Sequence, residues 1–376
     1  MTTTLDVPVV LFLFNRPDTL ARVVDVLRRA RPRLVLVVAD GPRPDWPQDA
    51  ARCRAARAVV ERFDWPCDVV RDFAETNIGC SARITSGLDW AFQEVSEAIV
   101  LEDDVVPDPT FFAWCARMLD RYRDEPRVMH VSGRNHLGRW TETGEGHCLL
   151  HRGSVSGWAT WRRAWQLKVP MPGTPDDIAR VATNAAIDPL VVDNFLMLQE
   201  LAVIGKFQSW DTTWELRKAL AGGLSVVPSV NLVAHIGYGP EATHNKFGGD
   251  IGALTPVGYA PSGAETDRCV EDRRLDRWSM LFELMATYRV PGLVWRLARL
   301  ATAGPWSVDR RLRHHLAPFR NLHESLAALE HICAVGVAPE SLSDLFSALR
   351  RAAADTPLAP AASTLSDSAA VCMESG

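Results

Sequence analysis

Three carboxylates stand side by side at Glu102-Asp103-Asp104, directly after the apolar run Ile99-Val100-Leu101. Such a run reads as the end of a buried strand, so the acids sit at the mouth of a core element. No basic residue flanks them in sequence. Like charges so placed repel, and desolvation adds to the penalty. Something cationic is needed to make the arrangement tolerable. Strand alternation predicts Glu102 and Asp104 on one side and Asp103 on the other. One side then suits a hard divalent ion, Mg2+ or Mn2+, shared with substrate phosphates. The opposite carboxylate suits hydrogen bonds from sugar or ribose hydroxyls. The competing reading is a solvated acidic turn capping a helix that starts near Asp108.

Two more apolar runs end in polar or turn residues: 7–14 at Asn15-Arg16-Pro17, and 34–39 at Asp40-Gly41. In an open parallel sheet, ligands gather outside the carboxyl ends of the strands. A nucleotide across these ends meets Asp40 for base or ribose, Arg16 for charge, and the acidic triplet for metal-bound diphosphate. Asp-Gly after a strand is also an ordinary turn, and Asn-Arg-Pro also starts helices. Their order and shared placement carry the reading.

The elements that must position these residues follow a βαβα rhythm over the first 130 or so positions. Strands are expected at 7–14, 34–39, 67–73, 99–101 and 128–132. The helices between them are marked by Leu20, Val23, Val24 and Leu27, by Ala55, Val59 and Phe63, and by the segment 81–97. This predicts an α/β fold with a mostly parallel, Rossmann-like sheet flanked by helices. Residues 133–153 read as a functional loop region. A helix near Trp165, a proline-rich linker at 170–175, helices at 189–204 and 212–220, short strands within 224–233 and a glycine-rich loop at 235–250 follow. Trp158, Trp161 and Trp165 sit at i, i+3 and i+7, a spacing for core packing, and one of them or Trp214 is a candidate to stack on a sugar. The expected division is a domain at 1–263 (halves 1–132 and 133–263), a helical C-terminal region at 264–355, and a disordered tail at 356–376.

Composition sets limits. With 376 residues and a net charge of −5, the chain has the makeup of a soluble globular protein. That charge argues against nucleic acid as the main partner. Eight scattered cysteines without a C-x-x-C pair, and no secretory signal, point to a cytoplasmic protein. No run is long enough to span a bilayer. Residues 290–300, with Trp295 and two arginines, are a candidate for peripheral contact with the inner membrane face, although core packing fits that helix better. The C-terminal helices are also a candidate homodimer surface.

Phe14-Asn15-Arg16-Pro17, Ala39-Asp40-Gly41, Asn77-Ile78-Gly79 and Leu101-Glu102-Asp103-Asp104 with Pro107 resemble, in that order, the nucleotide-diphospho-sugar transferases of GT-A fold. The bacterial hemolytic-protein-like branch is the nearest match, and the triplet is also similar to that of N-acetylglucosaminyltransferase I enzymes. Gly157-Trp158-Ala159-Thr160-Trp161, Ser209-Trp210-Asp211-Thr212-Thr213-Trp214 and the stretch from Asn231 to Gly239 with Ala242-Thr243-His244 fit the same branch. The resemblance covers roughly residues 7–250. It implies that Asp104 ligates the metal, Glu102 acts through water, and Asp103 contacts ribose or donor sugar. Asp40 would bind uracil or ribose beside Asn15 and Arg16. Asn77, Gly79 and Arg83 would flank the nucleotide-sugar, with Gly79 allowing close backbone approach and Arg83 pairing with phosphate. An exposed helix arginine is the alternative for Arg83.

The implied activity is metal-dependent inverting transfer of a hexosyl or N-acetylhexosaminyl group, most readily from a UDP-sugar, to a hydroxyl on a glycan, lipid-linked sugar, peptide or natural product. Inversion needs a base. Asp211, flanked by Trp210 and Trp214, is the candidate, and helix capping is its alternative reading. His244 is a candidate metal ligand and His235 a weaker one; an ordinary hydrogen-bonded histidine is the alternative for both. A sugar nucleotidyltransferase would want a glycine-rich basic loop where Asn15-Arg16-Pro17-Asp18 stands. A non-catalytic carbohydrate-binding protein would have no need of an intact triplet.

Overall fold

A computed structural model describes residues 4–138 apart from 62 and 137, most of 146–203, 209–237, and a few positions between 258 and 280. His244, residues 290–300, the tail and all of the expected helical C-terminal region except a few positions between 271 and 280 lie outside the described residues.

The first half alternates as its apolar runs dictate: β1 (Val9–Leu13), α1 (Pro17–Ala30), β2 (Leu34–Ala39), α2 (Pro47–Val59), β3 (Asp68–Phe73), α3 (Cys80–Glu94) and β4 (Glu97–Glu102). A short β5 (Val105–Pro107), α4 (Thr110–Arg121) and β6 (Val128–Ser132) follow. Then come β7 (His147–Leu150), β8 (Trp158–Trp161), α5 (Arg162–Trp165), α6 (Pro175–Ala185), α7 (Pro189–Val203), α8 (Trp210–Leu220), β9 (Leu224–Pro228) and β10 (Val233–His235).

The main sheet runs β3-β2-β1-β4-β8-β6-β9-β7. Strands β3, β2, β1 and β4 are mutually parallel, and β8 and β7 run against their neighbours. The expected α/β, Rossmann-like sheet is therefore present. Chain order moves outward from β1 to β3 and then returns to place β4 on the other side of β1. That reversal opens a crevice at the carboxyl ends of β1 and β4. Phe12 pairs with Glu102 and Leu13 with Ala39, so the three strands end level.

Period-two alternation splits the core. Val9, Leu11, Leu13, Ile99 and Leu101 pack with α1 and α4 on one face, while Val10, Phe12 and Val100 pack with α3, α5 and α8 on the other. The α1 stripe is buried as its spacing predicts. On α2 the buried positions are Asp49, Cys53 and Ala56, continued by Val60; Ala55 is exposed, and Phe63 lies past the helix end against Trp65. Val95 is extended and ends α3 three residues early, which releases Glu97 to begin β4.

The second half departs further from its expectation. The region read as a loop contains β7, and Trp158 and Trp161 belong to a strand, which sends them to opposite faces of the sheet. The proline-rich linker ends in a helix start: Pro175 is the first residue of α6, and Thr174 and Asp177 cap each other's backbone N–H groups. At the sheet edge, Asp272 N–H donates to Leu149 O, and the buried Asp276 carboxylate accepts from the backbone of His151 and Arg152. The chain beyond 263 thus returns to β7. No helix among the described residues is long and apolar enough to cross a membrane.

Candidate functional site

Glu102 is the last residue of β4; Asp103 and Asp104 form a turn before β5. Alternation stops there, so the expected separation of Asp103 from Asp104 does not occur. Both meet one guanidinium. Arg16, at the start of α1, reaches Asp103 Oδ1 at 3.1 Å and Asp104 Oδ2 at 2.6 Å. The cation that the triplet requires is supplied in part by the chain itself. Burial works against the charge on Arg16, but Asp103 and Asp104 outweigh it and raise its pKa.

Asp103 has no oxygen left over. Its Oδ2 accepts from Phe14 N–H at 3.0 Å, its Oδ1 faces Arg16, and the residue is 2% exposed. A carboxylate held this way shapes the β1 end and has no ready contact with a ribose. Asp104 differs. Its Oδ1 is buried and has no hydrogen-bond partner among the described residues, a costly state for a carboxylate oxygen.

The ribbon of β5 with β10 lays a second layer over this oxygen. Val105 pairs with His235, and Ile236 N–H donates to Asp104 O. His235 Nε2 lies 3.7 Å from Asp104 Oδ1, while its Nδ1 accepts from Gly237 N–H. Burial lowers the His235 pKa against the pull of Asp104, so the ring is neutral. In that tautomer the proton is on Nε2; for Nε2 to ligate a metal, the proton must move and the Gly237 contact must open.

Gly237 is where the ribbon comes closest. A Cβ there would overlap Asp104 Oδ2 and lie 2.7 Å from Arg16 Nη1. Both atoms are pinned by their ion pair, so neither swings away without breaking it. Gly237→Ala is expected to destabilise the fold by roughly 1–3 kcal/mol, read by urea unfolding; a variant as stable as the parent would contradict this packing.

Glu102 has its pKa pushed up to about 8, first by burial and then by the charges of Asp104 and Asp103; Asp103 rises to about 6, again with burial first. Between its ordinary 4.5 and about 8, Glu102 is protonated when folded and ionised when unfolded. Unfolding then releases a proton, so rising pH removes stability across that window. Glu102→Gln should lessen the loss, with a melting temperature at pH 8.5 above the parent's by about 2 °C or more and a smaller gain at pH 6. Equal shifts at both pH values would overturn this.

The other nominated residues occupy the same sheet edge with different employment. Asp40 is 5% exposed, and its carboxylate accepts from the N–H groups of Gly41, Ile78 and Gly79 and from the Asn77 amide. Asp40 and Asn77 therefore bind each other. Gly79 has a φ of +86°, and a Cβ there would meet nothing within 4 Å; backbone sign, not crowding, explains this glycine. Arg83 is buried, donating to Ala39 O and pairing with Asp72 at 2.8 Å. It ties α3 to the ends of β2 and β3, which fits neither a phosphate ligand nor an exposed arginine. Asn15 donates to buried Asp49 at 2.8 Å.

Asp211 is the second residue of α8, with Ser209 as the residue before the helix, so the capping position is not its own. The hydrogen bonds it receives, from Ser209 Oγ and Thr212 N–H, fall on Oδ1. It stands close enough to the triplet for its charge to push up Glu102 and also the Cys80 thiol, which burial and Glu102 raise to about 12. Behind it, Trp158 lies 6.0 Å from Trp210 and 5.7 Å from Trp214, and Trp165 lies 5.4 Å from Trp214. His130 stacks on Trp158 and accepts from the Trp214 indole. Lys218, fully buried, pairs with Glu215 and Ser225 to fasten α8 to β9. Trp158, Trp161, Trp165 and Trp214 are all at most 4% exposed, so each is core and none presents a face to a sugar.

No group of three or more His, Cys, Asp or Glu residues surrounds a single point among the described residues. A Mg2+ or Mn2+ site drawing one carboxylate oxygen from protein and the rest from phosphate and water does not need one. The unpartnered Asp104 Oδ1 fits that donor set. The ion pairing of Arg16 with Asp103 and Asp104, the close approach of Gly237 and the packing of His235 on Asp104 were invisible to residue spacing, because each depends on pairing between distant segments.

No protein-family model matches the chain, and no curated protein does. Solved structures similar to it include a UDP-glucose pyrophosphorylase in complex with UDP-glucose, at 12% identity and a TM-score of 0.31, over 60% of this chain and 91% of that one. Mouse xyloside xylosyltransferase 1 is another, at 13% identity and a TM-score of 0.29, over 57% and 82%.

Proposed function

We propose that this chain is a metal-dependent inverting glycosyltransferase of GT-A type, using a nucleotide-diphosphate sugar, in the first instance a UDP-sugar, and a hydroxyl-bearing acceptor. The observation that carries the reading is the free, buried Asp104 Oδ1 at the β1/β4 crevice, with a cation on one side and a second carboxylate, Asp211, nearby.

Asp104 Oδ1 would hold Mn2+ or Mg2+, which when bound supplies Lewis-acid stabilisation of the diphosphate leaving group. Arg16 offsets the charge of Asp103 and of Asp104 Oδ2, so an anionic donor does not meet three bare carboxylates. The first turn of α3 has no side-chain cap and leaves backbone N–H groups at the same edge, where phosphate is favoured. Asp211 takes the acceptor's proton through the oxygen that Ser209 and Thr212 leave open. The β5–β10 ribbon packs on Asp104 and lowers its exposure to bulk solvent, which strengthens each charge interaction there.

A panel of UDP-, GDP- and dTDP-sugars with Mn2+, read by release of nucleoside diphosphate, tests the reading. The expected result is diphosphate release that disappears with EDTA. Pyrophosphate-dependent conversion of any of them to nucleoside triphosphate and sugar 1-phosphate, or metal-independent release of nucleoside diphosphate, would contradict it.

A further inference from the structure

The polar side chains that strand ends offer to a nucleobase are already engaged: Asp40 with Asn77 and the 77–79 backbone, Asn15 with Asp49, Asp103 with Phe14 and Arg16. Beside them lies an unassigned surface. The loop after β2 carries Arg43 and Trp46, and it folds over the loop after β1. The Arg43 guanidinium sits 4.2 Å from the Trp46 ring centroid and 5.4 Å from that of Phe14. It is held there by buried Asp49, which its Nε reaches at 2.5 Å and its Nη2 at 3.1 Å. The hydrogen bonds of Arg43 and Asn15 keep the Asp49 carboxyl below its usual range despite burial. Trp46 is nevertheless 41% exposed, while most of the chain's described tryptophans are buried. Phe14 donates its N–H to Asp103, so this surface is continuous with the acidic cluster.

Resting on the glycosyltransferase reading above, we propose that the donor's nucleobase is bound by stacking on the Phe14–Arg43–Trp46 platform, with Asp40 and Asn15 serving only to build the loops beneath. A rigid, exposed aromatic backed by a guanidinium is the arrangement on which planar bases stack. Phe14 bonds Asp103, and Arg16 joins Asp103 to Asp104, so base and diphosphate would lie on adjoining parts of one surface.

The test is calorimetric titration of the full chain in Mn2+ with UDP and, separately, with inorganic pyrophosphate, for the parent, Trp46→Ala and Trp46→Phe. The expected result is that Trp46→Ala weakens UDP by about tenfold or more, that Trp46→Phe restores most of the loss, and that pyrophosphate binds all three alike. Pyrophosphate lacks a base, so its unchanged binding also reports an intact fold. Equal UDP affinity in Trp46→Ala and parent would overturn the platform while leaving the metal–diphosphate site standing. A parent that binds neither UDP nor pyrophosphate would overturn the nucleotide-sugar reading, and the platform with it.

Discussion

Asp104→Asn should reduce metal-dependent transfer by about 100- to 1,000-fold, the range for removing one preorganised charge-stabilising group, and should weaken Mn2+ affinity in parallel. The substitution keeps the shape of the side chain and leaves the β4–β5 turn in place, since Ile236 N–H bonds to the backbone oxygen of residue 104. What changes is charge at a buried carboxylate oxygen that has no hydrogen-bond partner among the described residues. Arg16 retains Asp103 at 3.1 Å, so the guanidinium is not stranded. Loss of one of three adjacent acids also relieves repulsion on Glu102 and Asp103. The melting temperature should therefore move little while metal binding and turnover collapse. Manganese titration by electron paramagnetic resonance, run beside a turnover assay, separates the two; full activity with normal metal affinity would remove Asp104 from its role.

Asp211→Asn should lower kcat by about 10²- to 10⁴-fold, the span for loss of a general base, with donor affinity unchanged. Ser209 and Thr212 can still bond to the amide oxygen, so the α8 start survives. The wall behind it, with Trp214 against Trp158 and Lys218 against Glu215, does not involve residue 211. A fall confined to kcat at saturating donor marks proton transfer. A weakened donor affinity with normal kcat would assign Asp211 to binding instead.

Much of the sheet could be read from the chain because buried parallel strands announce themselves as unbroken apolar runs, and their polar stops marked the edge where Arg16, Asp40 and the triplet meet. What those residues do at that edge depended on long-range partners. Arg16 and Asp104 are 88 positions apart, and Asp40 finds Asn77 across 37. Spacing cannot say that a carboxylate has been saturated by a loop's N–H groups, so Asp40 looked available for ribose. The triplet's split across two faces failed because alternation holds only while a strand lasts, and β4 ends at Glu102. The spacing of Trp158 and Trp161 marks them as core, and an odd offset on a strand divides them between two cores. Prolines at 170–175 hid the Thr174–Asp177 cap that starts α6. Gly237 had no visible reason until β10 paired with β5 and brought it onto Asp104.

The most direct test of the central claim is anomalous scattering from crystals grown with UDP and Mn2+. The account predicts a manganese peak within about 2.3 Å of Asp104 Oδ1, bridging to the diphosphate, with Arg16 still on Oδ2. Ordered UDP in the crevice with no manganese at Asp104 would contradict it.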